Sequence, residues 1–116
     1  MTKILHNPRC SKSRAALQLL ESRGVDFEVV KYLENPPSEK ELRQILTLLG
    51  IKPVELVRKG EPLFKELELS DKKLSDQQWI QLLVEHPKLI ERPIVVHNGK
   101  AAIGRPTEKI KSILDS

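Results

Sequence analysis

The 116-residue chain has one cysteine, few aromatic residues and no long apolar run. One thiol makes neither an internal disulfide nor a Cys-rich zinc site. It fits a reducing compartment, and any redox chemistry at Cys10 must draw its second thiol from another molecule. Aromatics are 3% of the chain, namely Trp79, Tyr32, Phe27 and Phe64, so the core must be aliphatic. No apolar stretch reaches the length of a membrane-spanning helix. Asn7-Pro8 interrupts the N-terminal segment before a signal-type apolar region can form. The expected location is therefore cytoplasmic, with no membrane partner, no metal and no bound cofactor. Twenty basic against 16 acidic residues leave a net charge of +4. That excess is too small to point to nucleic acid, but it is compatible with a local anion site.

What is present suffices for one folded domain, taken as residues 1–116. Hydrophobic residues are 39% and charged residues 31%, outside the composition of a disordered chain. A chain of this size buries roughly two thirds of its unfolded surface. Thr2 to Leu5 and Phe27 to Tyr32 read as strands. Between them, Ser11 to Arg23 carries Ala15, Ala16, Leu17, Leu19 and Leu20 on an apolar face, with Gly24 placed to end the helix. This is a βαβ unit, with parallel strands and a right-handed crossover expected. After Pro36-Pro37, two capping boxes, Ser38 with Glu41 and Ser75 with Gln78, open helices that run to Leu49 and to His86-Pro87. Pro53–Lys59 and Glu61–Leu67 read as short helical pieces. Pro93 to His97 and Ala101 to Gly104 read as strands joined by an Asn98-Gly99 type I′ turn. Pro106 suits the first turn of a last helix carrying Ile110, Ile113 and Leu114. The order βαβ, helical stretch at about 38–90, ββα implies an α/β fold with a four-stranded mixed sheet. By analogy of layout, that sheet is thioredoxin-like (glutaredoxin-like) with a helical insertion.

One helix start departs from the usual rules. Helix N-termini are electropositive and favour acids. Around the start of the first helix stand Arg9, Lys12 and Arg14, and the next acid is Glu21. Cations there repel one another unless something negative joins them, such as a thiolate or a bound oxyanion. Cys10 lies at this point, where a helix N-terminus and nearby cations lower a thiol pKa from about 8.5. Ser13 can offer its hydroxyl to the sulfur, and a protonated His6 would add to the stabilisation. A lone cysteine is most often a small buried apolar residue, and each cation alone is most often solvated surface. Taken together after a strand and at a helix start, they read as a reactive thiol. Arg58, Arg92 and Arg105 each sit in a turn or before a proline, and their planar forks match tetrahedral oxyanions. A cis Pro93 would be the minority isomer, about one X-Pro bond in twenty. His86, His97 and Trp79 carry no chemical assignment: they read as a helix-end residue, an exposed turn neighbour and core.

His6-Asn7-Pro8-Arg9-Cys10-Ser11-Lys12-Ser13-Arg14 resembles the N-terminal signature of the glutaredoxin-coupled arsenate reductase (ArsC) family. Tyr32 to Pro37, Leu56 to Lys59, Arg92 to Val96 and Gly104-Arg105-Pro106 are similar to later segments of it, in the same order. The resemblance implies a thioredoxin-like fold and a cis bond before Pro93. It implies that Cys10 attacks arsenate, that His6 and Ser13 help hold the thiolate, and that Arg58, Arg92 and Arg105 bind the oxyanion, with Arg14 near the same pocket. It implies glutathione as co-substrate and glutaredoxin as partner in reducing arsenate to arsenite. At the two central positions, Cys10-Ser11-Lys12-Ser13 differs from the Cys-Gly-Thr-Ser of well-established members.

Two other functions fit the same residues. A glutathione-dependent thiol oxidoreductase without a natural arsenate role would also use Cys10, but three extra arginines exceed what glutathione needs. A redox-linked regulator binding RNA polymerase is known in the wider family. That branch carries a Cys-x-x-Cys pair, where this chain has Ser13.

Overall fold

The computed structural model describes residues 2–104 and 107–115. In chain order the elements are β1 (Thr2–Leu5), α1 (Ser11–Ser22), β2 (Glu28–Val30), α2 (Glu39–Leu49), α3 (Pro62–Glu66), α4 (Asp76–Glu85), β3 (Ile94–His97), β4 (Lys100–Ile103) and α5 (Glu108–Leu114). Short 3-10 turns cover Pro53–Leu56, Leu69–Asp71 and Pro87–Leu89. Two compact units divide the chain: residues 1–35 with 92–116, and residues 36–91. The helical stretch expected at about 38–90 falls inside the second.

In the first unit the strands lie in the order β2-β1-β3-β4. β1 and β2 are parallel, while β1 with β3 and β3 with β4 are antiparallel. This is the mixed four-stranded sheet of the thioredoxin-like layout. Ile4 pairs with Val95 across β1 and β3, so both point to one face. There they join Ala16 and Leu20 of α1 and Ile110 of α5 in a fully buried cluster, flanked by Leu17, Leu19, Phe27, Ile113 and Leu114. Aliphatic burial of this kind stabilises by on the order of 2 kcal/mol per large side chain.

The hairpin turn matches its sequence signal: Asn98 and Gly99 have φ of 46° and 79°, the left-handed pair a type I′ turn requires. Gly104 meets a different demand. A Cβ there would come within 2.6 Å of Ile110 Cδ1 and 2.8 Å of Pro93 Cγ. Its N–H donates to the Pro93 carbonyl at 2.9 Å, so only glycine seats the end of β4 against Pro93. The Arg92–Pro93 peptide bond is cis, the isomer the family resemblance implies.

In the second unit α2 packs on α4. Leu42, Ile45 and Leu46 form the buried stripe of α2, and Trp79, Ile80 and Leu83 that of α4, each at helical spacing. Both expected capping boxes are formed, at Ser38 with Glu41 and at Ser75 with Gln78.

Some expectations change. The strand expected over Phe27–Tyr32 is only Glu28–Val30, because it lies at the sheet edge against the short β1 and the chain turns at Lys31. The returning strand starts one residue early, at Lys100. His97, expected to be exposed, is half-buried with Nδ1 2.6 Å from Thr2 Oγ1, because its strand pairs it with Thr2. Arg105 and Pro106 lie outside the described residues. Among the described residues, no helix is long and apolar enough to cross a membrane, and no His, Cys, Asp and Glu group could hold a metal ion.

Candidate active site at the start of the first helix

The register fixes where chemistry can gather. Leu5, the last residue of β1, pairs with Val30, the last of β2, and with Ile94, the first of β3. The residues after Leu5, those after Val30 and those before Ile94 therefore emerge at one end of the sheet. They include His6 to Cys10, Lys31 and Tyr32, and Arg92.

The loop from β1 to α1 folds on Asn7, which is buried. Its side-chain oxygen accepts the Arg9 N–H and its carbonyl accepts the Cys10 N–H, both at 3.0 Å. Its own N–H donates to Ser13 Oγ at 3.0 Å. The short Asn side chain does here what makes asparagine common in turns. Arg14 Nη1 closes the loop from outside, donating to the Pro8 carbonyl at 2.9 Å.

Cys10 is the N-cap residue of α1, in extended conformation, with no side-chain cap hydrogen bond. No acid occupies the first turn. The first-turn N–H groups have no partner within the helix, as at any helix start. The thiol is half-buried and in no disulfide.

Ser13 is fully buried, and its Oγ lies 2.6 Å from His6 Nδ1. The hydroxyl has one proton to give and two lone pairs. One lone pair takes the Asn7 N–H. If Nδ1 carries no proton, the hydroxyl spends its own on the ring. If Nδ1 carries one, the hydroxyl accepts it and can donate elsewhere, the sulfur included. The His6 pKa is lowered, first by burial, then by the charges of Lys31 and Arg14, with a contact to Ser13 partly opposing. Near neutral pH the ring is thus mainly uncharged. Its side-chain partner is Ser13 Oγ.

Arg92 reaches Cys10. Burial works against its charge, yet its pKa lies above the ordinary value. Tyr32 and Cys10, both nearby, outweigh the burial. Tyr32 itself is fully buried.

The four arginines expected near the oxyanion are thus placed differently. Arg92 lies near Cys10, and Arg14 braces its loop. Arg58 belongs to the second unit, where its N–H donates to the Leu89 carbonyl at 2.7 Å and the Glu91 N–H donates to the Leu56 carbonyl at 2.8 Å. Its guanidinium lies 3.8 Å from Glu61 and 4.0 Å from Glu91, and the buried Nη1 makes no hydrogen bond. Arg105 is outside the described residues. Sequence reasoning missed Asn7 and Tyr32. Asn-Pro is a turn signal that could have found the first. Nothing local marks the second, which reads as the end of a strand.

Residues 5–113 match the model of the ArsC family. The chain is 55% identical over 113 residues to the uncharacterized protein YfgD of Escherichia coli K12, covering 97% of this chain and 95% of that one. It is 51% identical over 113 residues to an arsenate reductase of Neisseria meningitidis, covering 97% of each. A solved arsenate reductase of Vibrio cholerae superposes with a TM-score of 0.91 at 50% identity, over 97% of this chain and 96% of that one.

Proposed function

The chain belongs to the ArsC family, and from that premise we propose that it is an arsenate reductase using Cys10 as its only protein thiol, with glutathione and glutaredoxin supplying electrons. The observation that carries the reading is the acid-free start of α1, with Cys10 as N-cap and Arg92 near it. Such an end suits a thiolate and an approaching oxyanion, since preorganised donors stabilise charge without reorganising.

In the proposed cycle the Cys10 thiolate attacks arsenic. A sulfur–arsenic bond forms, and one arsenate oxygen takes up protons and leaves as water. Glutathione thiolate then displaces a second oxygen, also as water. The glutaredoxin thiolate attacks the glutathione sulfur. A disulfide forms between them, the bond from arsenic to glutathione breaks, and its electron pair stays on arsenic, reducing As(V) to As(III). Water displaces Cys10, releasing arsenite and restoring the thiol. One protein thiol suffices, which agrees with the single cysteine. Arg58 and Arg105 enter the proposal as further oxyanion-binding residues, supported by the likeness of their segments to the family.

The test is NADPH oxidation in a mixture of protein, arsenate, glutathione, glutaredoxin and glutathione reductase. Turnover should require every component and yield arsenite. Turnover that proceeds on a glutathione mixed disulfide but never on arsenate would replace this reading with a general thiol oxidoreductase.

A further inference from the structure

We propose that Asn7 is a positioning residue that sets the Cys10 thiol at the head of α1, and that its side-chain acceptor must be uncharged for Cys10 to ionise near neutral pH. Asn7, Pro8, Arg9 and Cys10 form one β-turn, in which the Asn7 carbonyl accepts the Cys10 N–H at 3.0 Å. Inside that turn Asn7 Oδ1 accepts the Arg9 N–H at 3.0 Å. This is the Asx turn that a short side-chain acceptor makes two residues on. Pro8 stands second in the turn, where its fixed φ fits. Arg14 Nη1 holds the Pro8 carbonyl from α1 at 2.9 Å. The Cys10 carbonyl in turn accepts the Arg14 N–H at 3.0 Å. Both backbone polar groups of Cys10 are thereby held, and its φ of −96° and ψ of 122° keep it extended at the N-cap. In that conformation an N-cap side chain lies beside the first-turn N–H groups, donors that favour a thiolate. The same residue reaches Ser13, whose Oγ accepts the Asn7 N–H at 3.0 Å.

The choice of amide follows from charge. Aspartate makes an Asx turn as readily as asparagine. Asn7 is buried, and a carboxylate there would face the thiolate across one turn, within about 7 Å between Cα atoms. A like charge at that range disfavours ionisation and raises a thiol pKa. Around Cys10 stand His6 after β1, Arg9, Lys12 and Arg14 at α1, Lys31 and Tyr32 after β2, and Arg92 before β3. No acid is among them. Asparagine therefore builds the turn and keeps this surrounding free of negative charge.

The inference rests on Cys10 acting as a thiolate, as the arsenate-reductase reading requires, but its test uses no arsenate. The rate at which iodoacetamide modifies Cys10 is followed against pH in the whole protein, with urea denaturation alongside. Asn7→Ala removes the acceptor. The pH of half-maximal rate should rise by about one unit, slowing modification up to about tenfold below it. Asn7→Ser restores a short acceptor and should bring that pH at least halfway back. Asn7→Asp keeps the turn and the denaturation midpoint, yet should raise the pH of half-maximal rate by about one unit. A merely structural Asn7 would lower the denaturation midpoint in Asn7→Ala and leave the pH of half-maximal rate in place in all three, which overturns the proposal. An unmoved value in Asn7→Asp also overturns it, and that variant decides alone if Asn7→Ala does not fold. The expected shifts without arsenate turnover would remove the functional reading and support this one.

Discussion

At the start of α2, Ser38 Oγ accepts the Glu41 N–H at 3.2 Å and Glu41 returns to the Ser38 N–H at 3.3 Å. Ser75 and Gln78 do the same at the start of α4, at 3.2 and 2.8 Å. At the start of α1, Cys10 caps nothing. The capped ends satisfy their own N–H groups and carry acids in the first turn, Glu39 and Glu41 in one and Asp76 in the other. The Cys10 end has neither, and has Lys12 and Arg14 in their place. Of these three helix starts, then, the two at Ser38 and Ser75 complete themselves, and the one at Cys10 is left without a side-chain cap or a first-turn acid. Cys10 supplies the missing negative charge when ionised.

Cys10→Ser breaks this comparison most severely. It should abolish arsenate turnover, yet serine is among the best N-cap residues, so the fold should be unharmed or more stable by up to about 1 kcal/mol. Steady-state assay and chemical denaturation read the two effects; turnover by the variant would remove Cys10 from the mechanism. Arg92→Lys comes next. Charge is kept but the planar fork near Cys10 is lost, and kcat/KM for arsenate should fall roughly tenfold or more. Unchanged kinetics would place Arg92 outside the reaction.

Ser38→Ala tests the other side of the comparison. It should cost about 1 kcal/mol in urea denaturation and leave arsenate turnover unchanged. A loss of activity without loss of stability would contradict the division of labour.

The smallest effect concerns His6. Its pKa in the folded chain is below the ordinary 6.5, with burial the main cause. As pH falls, the unfolded chain therefore takes up this proton first. Stability from this source is fullest above about 6.5 and declines as pH falls through that value towards the folded pKa. Melting temperatures measured down this range should show the decline, and His6→Gln should flatten it. An equal slope in the variant would assign the effect to other groups.

How much of this was legible in the sequence follows from how local each signal is. The ends of α2 and α4 could be read because a capping box lies within four residues. The Asn98-Gly99 turn could be read for the same reason. The anomaly at Cys10 was legible as an absence, since no acid appears between Cys10 and Glu21. What escaped depends on contacts between distant parts of the chain. His97 was read as exposed because Thr2, its partner, lies 95 residues away. Tyr32 was read as strand because Val29 and Val30 before it are β-branched, and its place near Arg92 is set by the register of three strands. The state of His6 depends on burial and on Lys31, which no spacing rule connects to it.

The account turns on Cys10 carrying the negative charge that the start of α1 otherwise lacks. Its rate of modification by iodoacetamide, followed against pH in the unliganded protein, tests that most directly. The rate should already be near its plateau around neutral pH, well below the ordinary cysteine range near 8.5, and Arg92→Ala should move the rise to higher pH. A rise centred at or above about 8.5 in the unaltered protein would contradict the account.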